Sequence, residues 1–469
     1  LAVYLILFAV GTSVKKMYRI FPAAVLLVLI CELFVLDYPS LWYRESPTRN
    51  QVATEYYNDG TKEAVAMLKE QDDSVYRIEK SYTSASENDG MSQGYNGLSV
   101  YMSTNPASLV AYHKMYGPET LSGNFVDFNM DDYIRSSLLG TKYLITGTGY
   151  HAPQKIYTSV GEAGGRSVFE NQYALPFGYL YDKEWNQEEV KEMSGLDKTL
   201  ASLSGFYYTD AEETSSYQKA DLPEQTDLSL LDYADTATDC TMEKGSEGIT
   251  VSNLGADPNV VFPGVASCFA DNDKLYGLSL TVDAPDETEM AVYYQTEGDE
   301  GFSAEKVYTF KVTEDNRTWE HLVPGGITEL RVDVSSPVES AVINNFELKS
   351  CDITESGYTA LKESGVDEVT FSDSTYQAQV TNDASENKML CVPLFYQKGW
   401  TAQIDGEDAG VYNINEGMCG VEVPSGTHEI VLKYETPYQN YGVGMTIIGI
   451  IIFILAFSQN LYEFFVKLC

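Results

Sequence analysis

The chain has 469 residues, a formal net charge of −39 at pH 7, 44% hydrophobic residues and 21% charged residues. This balance is close to that of globular proteins, so it excludes a disordered, collagen-like or coiled-coil chain. The acidity excludes DNA and RNA as partners, because their phosphates repel a negative surface. The length predicts about three domain-sized units.

Two apolar runs near the ends of the chain predict transmembrane helices. Residues 20–36 are apolar except for Glu32, and residues 442–457 carry no charge. Each run is near the lower limit of about 17 residues for crossing a bilayer. Residues 1–10 are apolar but too short to cross, and we interpret them as the end of another helix that begins upstream. The alternative for residues 20–36 is a buried helix of a soluble protein.

Basic residues beside these runs predict the orientation. Lys15, Lys16 and Arg19 precede the first complete run, and Lys467 follows the last. Positive charges in short loops stay in the cytoplasm, so residues 38–440 are expected outside. The sequence therefore predicts a multipass membrane protein with a large extracytoplasmic domain and the lipid bilayer as a partner.

The predicted fold class is a membrane-anchored α+β protein, with a mixed α/β unit followed by two antiparallel β-sandwich (jelly-roll-like) units. Residues 1–37 hold the end of one transmembrane helix, a basic cytoplasmic loop and one full helix. Residues 38–185 form the mixed domain, with a helical pattern over 61–71 that Thr61 caps and strand-like runs at 74–79, 98–102 and 142–145. Residues 186–227 are an acidic connector with a short helix near 188–203, and residues 441–469 are the last transmembrane helix and a cytoplasmic tail.

Strict alternation of apolar residues predicts two β-sandwiches, over 228–350 and 351–440. Turns rich in Pro, Gly and Asp separate the runs, as in antiparallel sheets. The alternating residues are Leu278, Leu280 and Val282; Met290, Val292 and Tyr294; Tyr308, Phe310 and Val312; Leu330, Val332 and Val334; Tyr376, Ala378 and Val380; Ile430, Leu432 and Tyr434.

Signals for catalysis or metal binding are weak. The four histidines are scattered, and the Asp271-Asn272-Asp273 segment fits a turn better than a cation loop. We assign no catalytic residue, no metal ligand and no cofactor, and leave a Ca²⁺ in the sandwich open. The disulfide state of the exported cysteines also stays open; they are Cys240, Cys268, Cys351, Cys391 and Cys419. The 35 tyrosines suit either glycan stacking or an ordinary β-rich core.

An ordered series of short motifs resembles a known family. It runs from residues 76–79 through 88–90, 94–99, 103–105, 137–145 and 169–176 to 398–406 and 426–434, and a final apolar run follows. In this order the series resembles the C-terminal portion of the YfhO-type bacterial multipass membrane proteins. The first sandwich matches least.

The resemblance implies a membrane glycosyltransferase of the C-type architecture in the bacterial cell membrane. Such enzymes take a sugar from a polyprenyl-phosphate donor and add it to cell-envelope polymers such as lipoteichoic acid. Their catalytic acid is expected in an outer loop between early helices, upstream of this chain. The chain would then carry the exported domain but not the chemistry.

Four residues near the first motifs are the candidates for substrate or glycan contact: Arg77, Asn88, Asp89 and Tyr101. Their amide, carboxylate and guanidinium groups can bond hydroxyls or phosphate, and the tyrosine ring can stack on a sugar. A structural role in turns is the competing interpretation. Two other functions stay open, a non-catalytic anchored module that binds glycan or protein and, less supported, an extracellular hydrolase.

Overall fold

The computed structural model describes residues 21–42, 48–85, 88–116, 125–126, 132–147, 152–153, 155–210, 217–314, 316–334, 339–372 and 374–468. The chain divides into two compact units, Leu1–Asn58 and Asp59–Cys469. In the first unit, helix α1 spans Phe21–Trp42 and helix α2 spans Arg49–Thr54. A capping box between Thr48 and Gln51 starts α2.

The second unit begins with a four-stranded sheet in the order β1-β4-β6-β5. Strands β1 and β4 are parallel, and the other two pairs are antiparallel. The helix predicted over 61–71 is present as α3, which begins at Thr61 after Gly60 and not after a Thr61 cap. Its buried face, which includes Val65 and Leu68, packs on this sheet. The elements of this region are α3 (Thr61–Gln71), β1 (Arg77–Lys80), α4 (Asp89–Gln93), β2 (Val100–Tyr101), α5 (Ala107–Tyr116), β3 (Phe125–Val126), α6 (Tyr133–Leu138), β4 (Thr141–Thr146), β5 (Tyr157–Ala163), β6 (Arg166–Asn171), β7 (Tyr179–Tyr181) and β8 (Lys183–Glu184).

Two short helices connect this region to the first sandwich. Helix α7 (Gln187–Lys191) is capped by the Asn186 side chain, and helix α8 (Gly195–Ser204) is capped by Ser194. The single helix predicted near 188–203 is therefore interrupted at residues 192–194, where Ser194 takes an extended cap conformation.

The first sandwich packs a six-stranded sheet on a five-stranded one, and both are antiparallel. The six-stranded sheet runs β12-β13-β20-β15-β18 with β10 also paired to β20, and the five-stranded sheet runs β11-β14-β19-β16-β17. The residues predicted to alternate inward here are buried, except for the half-buried Phe310. The strands from β9 onward are β9 (Gln218–Lys219), β10 (Thr226–Ser229), β11 (Thr236–Thr238), β12 (Thr241–Gly245), β13 (Gly248–Ser252), β14 (Asn259–Phe262), β15 (Lys274–Asp283), β16 (Thr288–Thr296), β17 (Val307–Val312), β18 (Thr318–Val323), β19 (Ile327–Val334) and β20 (Ser340–Asp352).

The two outer faces of this sandwich differ. The outer face of the six-stranded sheet joins a second core, in which Leu275 and Leu322 pack with residues of α8. The Leu196 side chain lies so close to Gly277 that a Cβ there would be 2.4 Å from Leu196 Cδ2. The outer face of the five-stranded sheet instead presents exposed Thr236, Thr309 and other polar residues. One face is therefore covered by the preceding domain and the other is open to solvent.

The C-terminal strands also form two antiparallel sheets, and one of them contains a strand from far upstream. The sheets run β21-β22-β28-β24-β25 and β26-β27-β23-β7. Strand β7 pairs with β23 through Tyr179 and Cys391. The mostly antiparallel β architecture predicted for residues 228–440 is thus present. The remaining elements are α9 (Tyr358–Lys362), β21 (Val366–Ser372), β22 (Thr375–Asn382), β23 (Lys388–Phe395), β24 (Trp400–Ile404), β25 (Glu407–Ala409), β26 (Tyr412–Ile414), β27 (Met418–Val423), β28 (Gly426–Tyr434) and α10 (Gln439–Leu468).

Helices α1 and α10 occupy the two predicted transmembrane segments. Large apolar side chains are exposed on both, among them Phe34 and Phe453. In the part of the chain that the structure describes, no helix combines the length and apolarity needed to cross a bilayer. Both transmembrane helices therefore stay predictions. Residues 1–10 and the bases Lys15, Lys16 and Arg19 lie outside the described residues.

Candidate functional site at the carboxyl end of a parallel strand pair

Polar side chains gather where β1 and β4 end. Lys80 is the last residue of β1 and pairs with Ile145, one residue before the end of β4. Ligands of α/β sheets commonly bind outside the carboxyl ends of parallel strands. The residues that meet here, called the carboxyl-end cluster below, are Asp59, Lys80, Tyr82, Ser84, Asp89, Gln93 and Arg166.

Close contact between two glycines brings part of this cluster together. A Cβ on Gly60 would lie 1.9 Å from the carbonyl oxygen of Gly164, and both residues have positive φ. Only glycine permits such an approach. The contact places Asp59 beside Arg166, whose Nη2 lies 3.2 Å from Asp59 Oδ2 and whose Nε donates to the Asp59 carbonyl at 2.9 Å.

The centre of the cluster is a buried ion pair. Lys80 Nζ lies 2.7 Å from Asp89 Oδ2, and the two side chains are only 5% and 4% exposed. The Asp89 carboxylate also accepts the backbone N–H groups of Ser84 and Ala85, at 2.6 and 3.1 Å. Burial lowers the pKa of Lys80, although Asp89 opposes this effect. A buried ion pair of this kind stabilises the fold only when both charges and their hydrogen-bond partners are in place.

The second carboxylate is held in its charged form. Burial by itself raises the pKa of Asp59, but hydrogen bonds from Ser84 and Thr61 and the charge of Arg166 lower it below the ordinary value. Asp59 is therefore suited to hold donors and not to give up a proton, whereas a glycosidase acid needs a raised pKa. This disfavours the hydrolase interpretation at this cluster.

The Tyr82 ring lies close to both cations of the cluster. Lys80 Nζ is 4.7 Å and Arg166 Cζ 3.9 Å from the centroid of its ring. Its hydroxyl lies 2.6 Å from Thr61 Oγ1, and burial raises the pKa of Tyr82 to about 12. With two carboxylates and two cations, the cluster is charge-balanced and internally bonded, so it fixes the surrounding backbone.

Asn88 and Tyr101, both predicted to contact glycan, are brought together at the edge of this cluster. The Asn88 Nδ2 donates to the Tyr101 carbonyl at 2.9 Å, and the Tyr101 N–H donates to Asn88 Oδ1 at 3.1 Å. The next residue, Asp89, belongs to the cluster itself. The Tyr101 side chain is 55% exposed, so its ring is accessible while its backbone is fixed.

Arg77, the fourth predicted residue, lies elsewhere. It is buried, donates from Nη1 to the Leu139 carbonyl, and stacks with Cζ 5.0 Å from the centroid of the Phe177 ring. Burial lowers the pKa of Arg77 to about 10, although the charge of Glu79 raises it. The structure therefore gives Arg77 a place in the interior and groups only Asn88, Asp89 and Tyr101.

Sequence reasoning identified only Asp89 and missed the other six members of the cluster: Asp59, Lys80, Tyr82, Ser84, Gln93 and Arg166. Lys80 directly follows the strand predicted over 74–79, and Asp59 lies two residues before the predicted helix, so their positions along the chain were visible. Their proximity was not, because it depends on the parallel pairing of β1 with β4 and on the contact between Gly60 and Gly164.

The cysteines and acidic residues form no further centre within the described ranges. No group of three or more His, Cys, Asp or Glu side chains there is arranged to hold a metal ion. Cys240, Cys268, Cys351, Cys391 and Cys419 are free thiols. Cys391 and Cys419 lie on neighbouring strands, but they contribute to different cores and so point to opposite faces of the sheet.

Comparison with known proteins places the chain in a family. The profile of the family described as "Bacterial membrane protein YfhO" matches residues 1–446. The chain belongs to this family. "Uncharacterized protein YfhO" of Bacillus subtilis (strain 168) is 21% identical over 431 residues, which cover 87% of this chain and 46% of the relative. The chain thus spans about half the length of this YfhO protein, and the family resemblance predicted from the motifs is confirmed.

Several solved structures show weak similarity. The C-terminal CBM6 of LamC, a marine laminarinase from Zobellia galactanivorans, is 13% identical, with all of that chain and 28% of this one covered at a TM-score of 0.17. A xylan-binding module CBM15 is 14% identical over 27% of this chain and 96% of its own, at 0.20. The arabinofuranosyltransferase AftD from Mycobacteria is 14% identical over 35% of this chain and 13% of its own, at 0.15. At TM-scores of 0.15 to 0.20, these structures show no shared overall fold with the chain.

Proposed function

We propose that the chain is the extracytoplasmic C-terminal part of a bacterial membrane glycosyltransferase. The enzyme would move a sugar from a polyprenyl-phosphate donor to a cell-envelope polymer such as lipoteichoic acid. Membership of the YfhO family supports the membrane setting. The observation that carries the proposal is the exposed Tyr101 ring, whose backbone Asn88 fixes beside the carboxyl-end cluster.

The geometry suits positioning and not bond cleavage. A tyrosine ring packs on the apolar face of a sugar, and it does so best when its backbone does not have to be ordered on binding. The charge-balanced cluster supplies that order. The group that activates the acceptor would then belong to an outer loop upstream of this chain, as the family resemblance implies.

The proposal includes a location. The terminal segments would attach the chain to the bacterial cell membrane, with residues 38–440 outside. Protease added to intact cells should then cut between these residues, and alkaline carbonate should leave the protein in the membrane fraction. Protection from protease, or recovery in the soluble fraction, would contradict this location.

Transfer in proteoliposomes tests the activity. The full-length protein would be given a radiolabelled polyprenyl-phosphate sugar and lipoteichoic acid. We expect Tyr101→Ala and Asn88→Ala to lower transfer at least tenfold and to abolish the heat of binding to lipoteichoic acid fragments. Tyr56→Ala is the matched control, because Tyr56 is also an exposed tyrosine, 39% accessible. Unchanged transfer and unchanged heat in both variants would exclude the proposed role of this site.

The same assay decides the alternative, a non-catalytic anchored module that binds glycan or protein. Heat of binding that depends on Tyr101, without any label transfer by the full-length protein, would favour that module. Label transfer by the full-length protein favours the enzyme.

A further inference from the structure

The open face of the five-stranded sheet carries a second arrangement of aromatic and polar groups. Two cross-strand rows run over this face. One row joins Thr236, Val261, Arg331, Tyr293 and Val307, and the next joins Thr238, Asn259, Asp333, Ala291 and Thr309. Tyr293 and Arg331 carry the longest side chains of the two rows, and both are half-buried.

Arg331 is held in one position on this face. Its Cζ lies 4.8 Å from the centroid of the Tyr293 ring, and its Nε and Nη2 bond the two carboxylate oxygens of Asp333 at 2.6 and 2.5 Å. Its Nη2 also lies 3.5 Å from Asp257 Oδ1. Bidentate pairing and stacking restrict the guanidinium, so its other N–H groups have a fixed direction.

The loop between β16 and β17 places an aromatic side chain beside the Arg331 guanidinium. Phe302 lies between β16 and β17, with its ring centroid 5.7 Å from Arg331 Cζ. The loop is closed by Lys306, which is 7% exposed and lies 2.7 Å from Asp299 Oδ2. Lys306 also donates to Thr296 Oγ1 at 2.7 Å. The position of Phe302 is therefore set before any ligand arrives, which reduces the entropy lost on binding.

The charges select the class of ligand. Arg331 faces two carboxylates, so this group of side chains has a local excess of negative charge. A phosphate-containing polymer is repelled by such a surface. An uncharged saccharide is not repelled, and it can use the ring for its apolar face, the guanidinium as donor and the carboxylates as acceptors for its hydroxyls. Five strands about 4.8 Å apart provide a face wide enough for several sugar residues.

We infer that Tyr293, Phe302, Arg331, Asp333 and Asp257 form a binding site for an uncharged glycan chain on the open face of the first sandwich. This site lies on a different sheet from the carboxyl-end cluster. Glycan binding here can therefore be measured independently of transferase activity. It adds a way to hold the glycan part of an envelope polymer apart from its phosphates.

Binding measurements on the full chain in detergent micelles test the inference. The probes are four neutral polysaccharides (laminarin, xylan, galactan and mannan) and the polyanion poly(glycerol phosphate). We expect at least one neutral polysaccharide to bind in titration calorimetry, and poly(glycerol phosphate) to bind at least tenfold more weakly. Tyr293→Ala and Phe302→Ala should each lower the association constant at least tenfold, while Tyr293→Phe should keep it.

Lys311→Met is the matched control. Lys311 lies on the same face and pairs loosely with Glu287 and Glu289, at 3.5 and 3.6 Å. Its loss should leave the association constant within twofold, and the melting temperature of each variant shows whether it folds. Phe302→Ala changes only a half-buried loop residue, so it tests the site if Tyr293→Ala fails to fold. No binding of any neutral probe, stronger binding of poly(glycerol phosphate), or unchanged binding in folded variants would each overturn the inference.

Discussion

The Lys80–Asp89 pair shows how single residues determine the candidate site. Both side chains are almost completely buried. Lys80 also donates to Ser84 Oγ and Gln93 Oε1, and Asp89 also accepts the backbone N–H groups of Ser84 and Ala85. Removing one of the two charges leaves the other buried in a medium of low polarity without a partner. The resulting loss of folding free energy is larger than the net stabilisation that the intact pair provides. The carboxyl-end cluster should therefore respond to substitution as a unit.

Lys80→Met should lower the free energy of unfolding by about 3–5 kcal/mol, because the Asp89 carboxylate would stay buried without its cation. Chemical denaturation of the full chain measures the change. Lys311→Met, which removes an exposed cation, should change stability by less than about 0.5 kcal/mol. If the two variants were equally stable, the network would not hold the site together. Adding Asp89→Leu to Lys80→Met should recover part of the loss.

The lowered pKa of Asp72 predicts that the protein becomes less stable in acid. Burial by itself raises the pKa of Asp72, but hydrogen bonds from Lys142, Ser74 and Tyr143 lower it below the ordinary value. Because the pKa of Asp72 is lower in the folded chain than in the unfolded chain, its ionised form stabilises the fold. This contribution is complete above the pKa of the unfolded chain, about 3.9, and it is lost as the pH falls towards the pKa of the folded chain. Asp72→Asn should therefore flatten the decline of melting temperature between about pH 4 and pH 2. An unchanged decline would show that other groups dominate.

At the residue scale, the sequence indicated which residues are chemically able to bind a glycan, but it did not indicate which of them lie together. Asn88, Asp89 and Tyr101 do lie close together, since they belong to neighbouring motifs. Arg77 shares their region of the chain but is buried in the interior, because it is the first of three consecutive buried residues on β1, Arg77, Ile78 and Glu79. The burial of a strand on both faces depends on which helices cover it, and no local pattern reveals that.

At the scale of elements, the contact between the start of α3 and the β5–β6 hairpin positions half of the cluster. Gly60 and Gly164 touch through their backbones, and Arg166 lies two residues after Gly164, at the start of β6. A side chain at either glycine would separate the helix from the hairpin. The approach of Asp59 to Arg166 would be lost with it.

Gly60→Ala should therefore destabilise the chain by about 3 kcal/mol or more, since it combines a positive φ with a clash against backbone. Gly165→Ala is the control, because Gly165 also has positive φ (+72°) but nothing lies within 4 Å of its Cβ position. That variant should lose only about 1 kcal/mol. Thermal unfolding measures both, and equal losses would mean that the steric contact has no effect.

The sequence predicted individual strands better than it predicted which strands pair in a sheet. Alternation with a period of two identified the inward residues of both sandwiches. Asp405-Gly406, a dipeptide typical of two-residue hairpin turns, forms the turn between β24 and β25, with φ of 52° and 82°. The parallel pairing of β1 with β4 and the pairing of β7 with β23 were not predicted. Each joins distant segments, and short apolar strands carry no signal for their partners.

At the scale of the whole second unit, one core crosses the limits of the predicted domains. It includes Leu200 of α8, Leu275 of the first sandwich and Ile414 of the C-terminal strands. The Tyr208 hydroxyl also donates to Glu422 at 2.8 Å, and the Asn415 N–H to the Tyr207 carbonyl at 3.0 Å. These contacts predict that the regions unfold together.

Ile414→Ala should create a cavity that costs about 2–5 kcal/mol and speeds hydrogen exchange in α8 as well as in β26. Ile430→Ala provides the comparison, because Ile430 is equally buried but belongs to a core made mainly of C-terminal strands. It should affect α8 less. If Ile414→Ala left exchange in α8 unchanged, the shared core would not couple the regions.

The pairing of β7 with β23 has a consequence for biosynthesis. Tyr179 and its partner Cys391 are separated by 212 positions along the polypeptide. At about 5–20 residues per second, a ribosome needs roughly 10–40 s to add that stretch after β7 has been made. During this interval the nascent β7 has no native neighbour on that side and must be kept from pairing with other edges. The sheet that contains β7 therefore cannot be completed until β23 has been synthesised.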